Sequence, residues 1–123
     1  MSISFAGSSS RSERFPIFDG NDYPYWQQRM KIKLRSISFE MWEIVENGFT
    51  VAHPESPTQQ DEINIRLNAQ ATDIICDSLC KNIFSRVYGM STAREIWNEL
   101  KNIHNGIVQR SDSHIQMLRA MFS

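Results

Sequence analysis

No stretch of this chain approaches the roughly 20 consecutive apolar residues that a helix needs to cross a bilayer. The first residues, MSISFAGSSSRSERF, also lack the apolar block of about 7–15 residues found in secretory signals. A soluble, cytoplasmic protein is expected. Cysteine is scarce: Cys76 and Cys80 alone, four apart in an apolar run that reads as helix, offer neighbours on one helix face and no disulfide framework. Four prolines and five glycines in 123 residues exclude collagen-like and low-complexity Pro/Gly chains. Neither sign of charge dominates. With 13 basic and 14 acidic side chains the formal net charge is −1, so no global field draws in RNA, DNA or an anionic membrane, and any nucleic-acid contact must be local.

Catalytic signatures are missing too. There is no phosphate-cradling glycine loop, no G-x-S-x-G, no H-E-x-x-H and no Cys-x-x-Cys. A structural zinc site needs four ligands, and His53, His104 and His114 are scattered without metal-site spacing around the two cysteines. Asp73 and Asp77, four apart, read as a solvated acidic face, and His104 and His114 as surface or helix-capping residues. Enzyme activity, a cofactor, a bound metal and a small-molecule substrate are therefore not expected.

What is present is a folding sequence: 41% hydrophobic residues and 11% aromatics suit a chain with one real core. Residues 1–14, rich in Ser and Gly, read as a flexible tail, and residues 15–123 as a single helical domain. Phe15-Pro16-Ile17-Phe18 is an extended apolar arm, because Pro16 disfavours helix at Phe15, and Asp19-Gly20-Asn21-Asp22 is a turn.

No sustained two-residue alternation occurs, so the expected fold is all-α, a compact bundle of five or six helices. The first helix should begin at Asn21 or Asp22, whose side chains can accept the free first-turn N–H groups, and should turn Trp26, Met30, Leu34 and Ile37 inward. A short second helix places Phe39, Trp42 and Val45 inward and stops at Asn47-Gly48. Ser56-Pro57-Thr58-Gln59 signals a third, with Ser56 as cap, Pro57 at the first helical position and Gln59 three residues on; it runs to about Leu79 with Ile63, Leu67, Ala71, Ile74, Ile75 and Ser78 inward. Ile83, Phe84, Val87 and Tyr88 predict one or two more turns, ended by Gly89. Thr92-Ala93-Arg94-Glu95 is a capping box opening a helix that carries Ile96, Trp97, Leu100 and Ile103 and is closed by Asn105-Gly106. A last helix spans about Val108 to Phe122. The predicted core is Trp26, Trp42, Trp97, Leu34, Leu67, Ile74, Ile96 and Leu100.

The only basic concentration is Arg29, Lys31, Lys33 and Arg35, with Arg11 and Arg14 upstream and Tyr23 and Tyr25 available to stack on bases. These four are candidate RNA contacts, weighed against the solvated face of an amphipathic helix.

Three blocks stand in order: Phe18-Asp19-Gly20-Asn21-Asp22-Tyr23-Pro24-Tyr25-Trp26 followed by Arg29-Met30; Trp42-Glu43-Ile44-Val45-Glu46-Asn47-Gly48; and Thr92-Ala93-Arg94-Glu95-Ile96-Trp97-Asn98-Glu99-Leu100. Their order and spacing resemble the Gag polypeptide of plant copia-type LTR retrotransposons, in which F-D-G-x-N-Y-x-x-W-x-x-R-M, W-x-x-V-x-x-G and T-A-x-E-x-W-x-x-L recur. The likeness covers about Phe15 to Phe122, and Asn21-Asp22-Tyr23 departs from it by one extra residue. The resemblance implies the N-terminal lobe of a self-associating helical capsid domain, with Phe18, Trp26, Met30, Trp42, Trp97 and Leu100 as structural residues. The second lobe, the zinc knuckle that grips RNA and the protease motif of such polyproteins are not in this sequence.

The expected role is thus a structural and assembly module whose partner is a second copy. Met117, Leu118, Met121 and Phe122 are the candidate self-association residues. Recruitment to bind another host or pathogen protein, or weak RNA contact, are the alternatives.

Overall fold

The computed structural model describes the backbone of residues 15–122 and, within the last helix, side chains up to Arg110 together with Met117 and Met121. The tail at residues 1–14 lies outside them. Five helices form and, among the described residues, no strand: α1 Tyr23–Ile37, α2 Phe39–Asn47, α3 Gln59–Asp77, α4 Lys81–Phe84 and α5 Ala93–Phe122.

The turn before α1 is built by Asp19, whose Oδ1 accepts the Asn21 N–H at 3.0 Å, and by Gly20 at φ 103°. Asp22 takes the N-cap position, yet the expected side-chain cap is not made. Its backbone is left-handed (φ 57°), unlike the extended geometry from which a cap side chain reaches back to the first turn. Pro24 removes one of the free donors there instead. Tyr23, Trp26, Met30 and Leu34 are buried, whereas Ile37 is half exposed because the chain turns at Ser38.

In α2 the Ser38 hydroxyl accepts the Met41 N–H at 3.2 Å. Met41, Trp42, Ile44 and Val45 are buried, but Phe39, expected inward, is 59% exposed. At 100° per residue the four buried side chains cluster on one side of the wheel, and Phe39 falls on the other. Helix α3 starts two residues later than the Ser56 signal. Thr58 Oγ1 accepts the Asp61 N–H at 3.0 Å and Asp61 Oδ2 accepts the Thr58 N–H at 2.9 Å, a reciprocal box that satisfies two donors. Ala71, Ile75 and Ser78 are buried, while Ile63, Leu67 and Ile74, expected inward, are half-buried.

The capping box opening α5 is present: Glu95 N–H donates to Thr92 Oγ1 and Thr92 N–H to Glu95 Oε1, both at 3.2 Å. Asn68 Oδ1 also accepts the Ala93 N–H at 2.9 Å, tying the start of α5 to α3.

Asn105-Gly106 does not close α5. One helix of 30 residues, about 45 Å long, replaces the two expected. Glycine inside a helix costs only about 1 kcal/mol, and Ile103 and Ile107 on either side both pack on the core. A Cβ at Gly106 would meet nothing closer than an Arg110 Nη1 at 3.9 Å. Gly106→Ala is therefore expected to stabilise the protein by roughly 0.5–1 kcal/mol. Urea unfolding followed by circular dichroism checks this; a left-handed stop at Gly106 would make the same substitution destabilising.

The helices enclose an aromatic cluster. The Trp26 ring lies 5.4 Å from Phe18 and 5.7 Å from Trp97, and Trp42 meets Trp97 edge-on at 5.5 Å. Trp26 Nε1 donates to the buried Ser78 Oγ at 3.0 Å, and Ser78 Oγ donates in turn to Ile75 O at 2.8 Å. Phe18 is fully buried and is held at both ends of its peptide: its N–H donates to Ser78 O at 2.8 Å and its C=O accepts the Cys80 N–H at 3.0 Å. The expected arm is thus clipped into the junction between α3 and α4.

Candidate interaction surfaces

The six residues that carry the resemblance are all interior. Phe18, Met30 and Leu100 are fully buried, Trp26 is 2% exposed, Trp42 6% and Trp97 8%. They build the frame on which the surfaces below are displayed.

The first surface is the far half of α5. Ala93, Ile96, Trp97, Leu100 and Ile103 are buried and Ile107 is half-buried; from there on every described side chain, Val108, Gln109, Arg110, Met117 and Met121, is exposed. Met121 stands 121 − 103 = 18 residues after Ile103, about five helical turns, so it continues the face that is buried upstream. Met117, 18 residues after half-buried Glu99 (117 − 99), lies at the edge of that face. Of the self-association candidates, Met117 and Met121 are 62% and 69% exposed; the side chains of Leu118 and Phe122 lie outside the described residues.

The four candidate RNA contacts do not form one patch. Arg29 and Lys33, four apart, both lie over the Phe15 ring, at 5.5 and 5.6 Å from its centroid. Arg29 also covers the Tyr25 ring and donates to Tyr25 Oη at 2.8 Å. Lys31 lies about 200° around the helix from Arg29, with Nζ 5.5 Å from the Trp42 centroid, and Arg35 is exposed on that side. Tyr23, read as a base-stacking residue, is buried, and only Tyr25 remains half exposed. Burial pushes the Tyr23 hydroxyl up from its ordinary value.

A cleft of ≈ 380 Å³ opens between α1, α2 and α5, walled by Tyr23, Lys31, Trp42, Trp97, Lys101 and His104. His104 is half-buried and lies flat on Tyr23, with ring centroids 4.7 Å apart and planes 18° apart, which corrects its reading as a surface or capping residue. His114 lies outside the described side chains. Lys101, His104 and the cleft itself were not legible as a site. Their neighbours come from three elements distant in sequence, and no local spacing marks them.

Cys76 and Cys80 are not two positions on one helix: α3 ends at Asp77, and Cys80 is the N-cap of α4. The helix breaks where the arm pairs with the backbone of Ser78 and Cys80. Both thiols are free and half-buried, and burial, then the nearby Asp73 carboxylate, push the Cys76 thiol up. A second groove, ≈ 420 Å³, runs beside the arm past Lys33, Asp73 and Asp77. A third, ≈ 450 Å³, lies beside Cys76, Met90 and the exposed rings of Phe84 and Tyr88. Among the described residues no three His, Cys, Asp or Glu side chains come together as metal ligands, and no helix is long and apolar enough to cross a membrane.

No protein-family model matches the chain, and no curated protein or solved structure matches it.

Proposed function

We propose that this chain is a non-enzymatic assembly module that binds a second copy of itself through the far half of α5, the role implied by its resemblance to the capsid N-terminal lobe of copia-type Gag. The observation that carries the reading is a helix whose core-facing stripe outlasts its core. Val108 to Phe122 carries the helix 15 residues beyond Ile107, and in proteins most helical stability comes from packing of an apolar face. Packing supplies what propensity does not. A two-fold pair of such helices would cover Met117 and Met121, each worth roughly 1.5–3 kcal/mol when taken fully out of water.

Sedimentation equilibrium on the whole chain tests this. The wild type is expected to dimerise or assemble further, and Met117→Glu with Met121→Glu to sediment as a folded monomer whose thermal unfolding midpoint no longer rises with protein concentration. A wild-type monomer at the highest soluble concentration, or a double variant that associates as before, would defeat the proposal.

A further inference from the structure

The cleft between α1, α2 and α5 ends at Asn105, one turn before the far half of α5, and its chemistry differs from that of the exposed methionines. Its floor is aromatic: the Trp42 and Trp97 rings meet edge-on, 80° apart in plane, with all but 6–8% of each residue buried. One wall is the flat stack of His104 on Tyr23. Lys31 of α1 and Lys101 of α5, two lysines from different helices, both line the cleft, together with Gln27, Asn98 and Asn105.

A single carboxylate, Glu46, shares the cleft, and it does not neutralise the lysines. Among the described residues the only ion pair within 4.0 Å is His53 with Glu55, far from here. Lys31 is held in the cleft by the face of Trp42 rather than by an anion. Two lysines against one carboxylate, with no ion pair among them, leave the cleft net positive.

The volume, ≈ 380 Å³, sits at the small end of the ~300–1,000 Å³ range of small-molecule sites. Three properties thus define the occupant. It carries a compact anion for the two ammonium groups, a flat ring for the aromatic surfaces, and polar edges for the carboxamides. From these we infer that the cleft binds a nucleoside monophosphate, its phosphate between Lys31 and Lys101 and its base against the half-buried His104 ring.

Lys31 belongs to the basic run read from the sequence, but its partner in the cleft is Lys101, 70 residues on (101 − 31), and not Arg29 or Lys33. Charge-assisted contacts to a phosphate are worth about twice neutral ones, so losing both lysines should dominate the affinity.

Calorimetric titration of the whole chain with adenosine 5′-monophosphate, with adenosine and with inorganic phosphate separates the parts. Binding of the monophosphate is expected, tighter than either fragment. Lys31→Gln with Lys101→Gln is expected to weaken it roughly tenfold or more, and Glu46→Gln to tighten it. Circular dichroism of each variant confirms the fold. The proposal is overturned if none of the three compounds binds at millimolar concentration, if phosphate alone binds as well as the nucleotide, or if the double lysine variant, still folded, binds as the wild type does.

Discussion

Trp26→Ala is expected to cost about 3–5 kcal/mol, a large share of the roughly 5–15 kcal/mol that separates a folded domain from its unfolded chain. The indole is 2% exposed and touches the arm, the C-cap of α3 and α5 at once. It stacks on Phe18 with planes 28° apart, lies 5.7 Å from Trp97, and donates through Nε1 to Ser78 Oγ. Alanine removes the rings' contacts and leaves a cavity bordered by three elements, which cannot all move in.

Trp26→Phe divides the effect. It restores much of the apolar volume but no donor, so the Ser78 hydroxyl loses the N–H it accepts while keeping its own bond to Ile75 O. An intermediate loss of about 1–3 kcal/mol is expected. Urea unfolding monitored by far-ultraviolet circular dichroism reads both, since fluorescence changes with the tryptophan itself. An alanine variant within 1 kcal/mol of wild type would mean that the arm and helices are not joined at this ring.

Gly48→Ala should show the second large loss, of about 2–4 kcal/mol. Two costs meet there. The residue sits at φ 77° and ψ −173°, a region that is essentially reserved for glycine and charges other residues roughly 1–3 kcal/mol. A Cβ built on it would also stand 2.8 Å from Arg94 Cδ. Arg94 cannot yield freely, because its guanidinium donates to Glu46 O in the last turn of α2 and so holds the start of α5 against the end of α2. Arg94→Ala provides the separation. In that background the steric part disappears and Gly48→Ala should cost only the backbone part, a coupling that a double-mutant cycle resolves. Equal costs in both backgrounds would show that Arg94 and Gly48 do not constrain each other.

What could be read from the sequence follows the range of the forces involved. The box at Thr92 and Glu95 was legible because four consecutive residues contain both halves of its hydrogen bonding. The inward faces of α1 and α5 were legible because Trp26, Trp97 and several aliphatics recur at helical spacing. Asn105-Gly106 misled for the same reason that it is informative elsewhere: a local stop signal worth about 1 kcal/mol was outweighed by the packing of Ile103 and Ile107 on the core. Ser56-Pro57 misled because Thr58 with Asp61 is the better cap, and Asp22 because its backbone turned left-handed. Phe39 was placed inward on its hydrophobicity alone, whereas the burial of Met41 and Ile44 set the face of α2. The presence of Lys31 and Lys101 in one cleft and the stack of His104 on Tyr23 had no signal at all in the primary structure, since each joins the first helix to the last.

The clip at Phe18 also orders events in time. Its two peptide hydrogen bonds reach Ser78 and Cys80, across a separation of about 60 residues (79 − 18 = 61 to its bridge partner Leu79). Closing so long a loop loses chain entropy before any contact rewards it, while helical turns form within microseconds from neighbours in sequence. The corner between α3 and α4 must already exist for the arm to have a place to dock. The arm is therefore expected to dock after that corner has formed, and only its docking covers the Trp26 ring with Phe18.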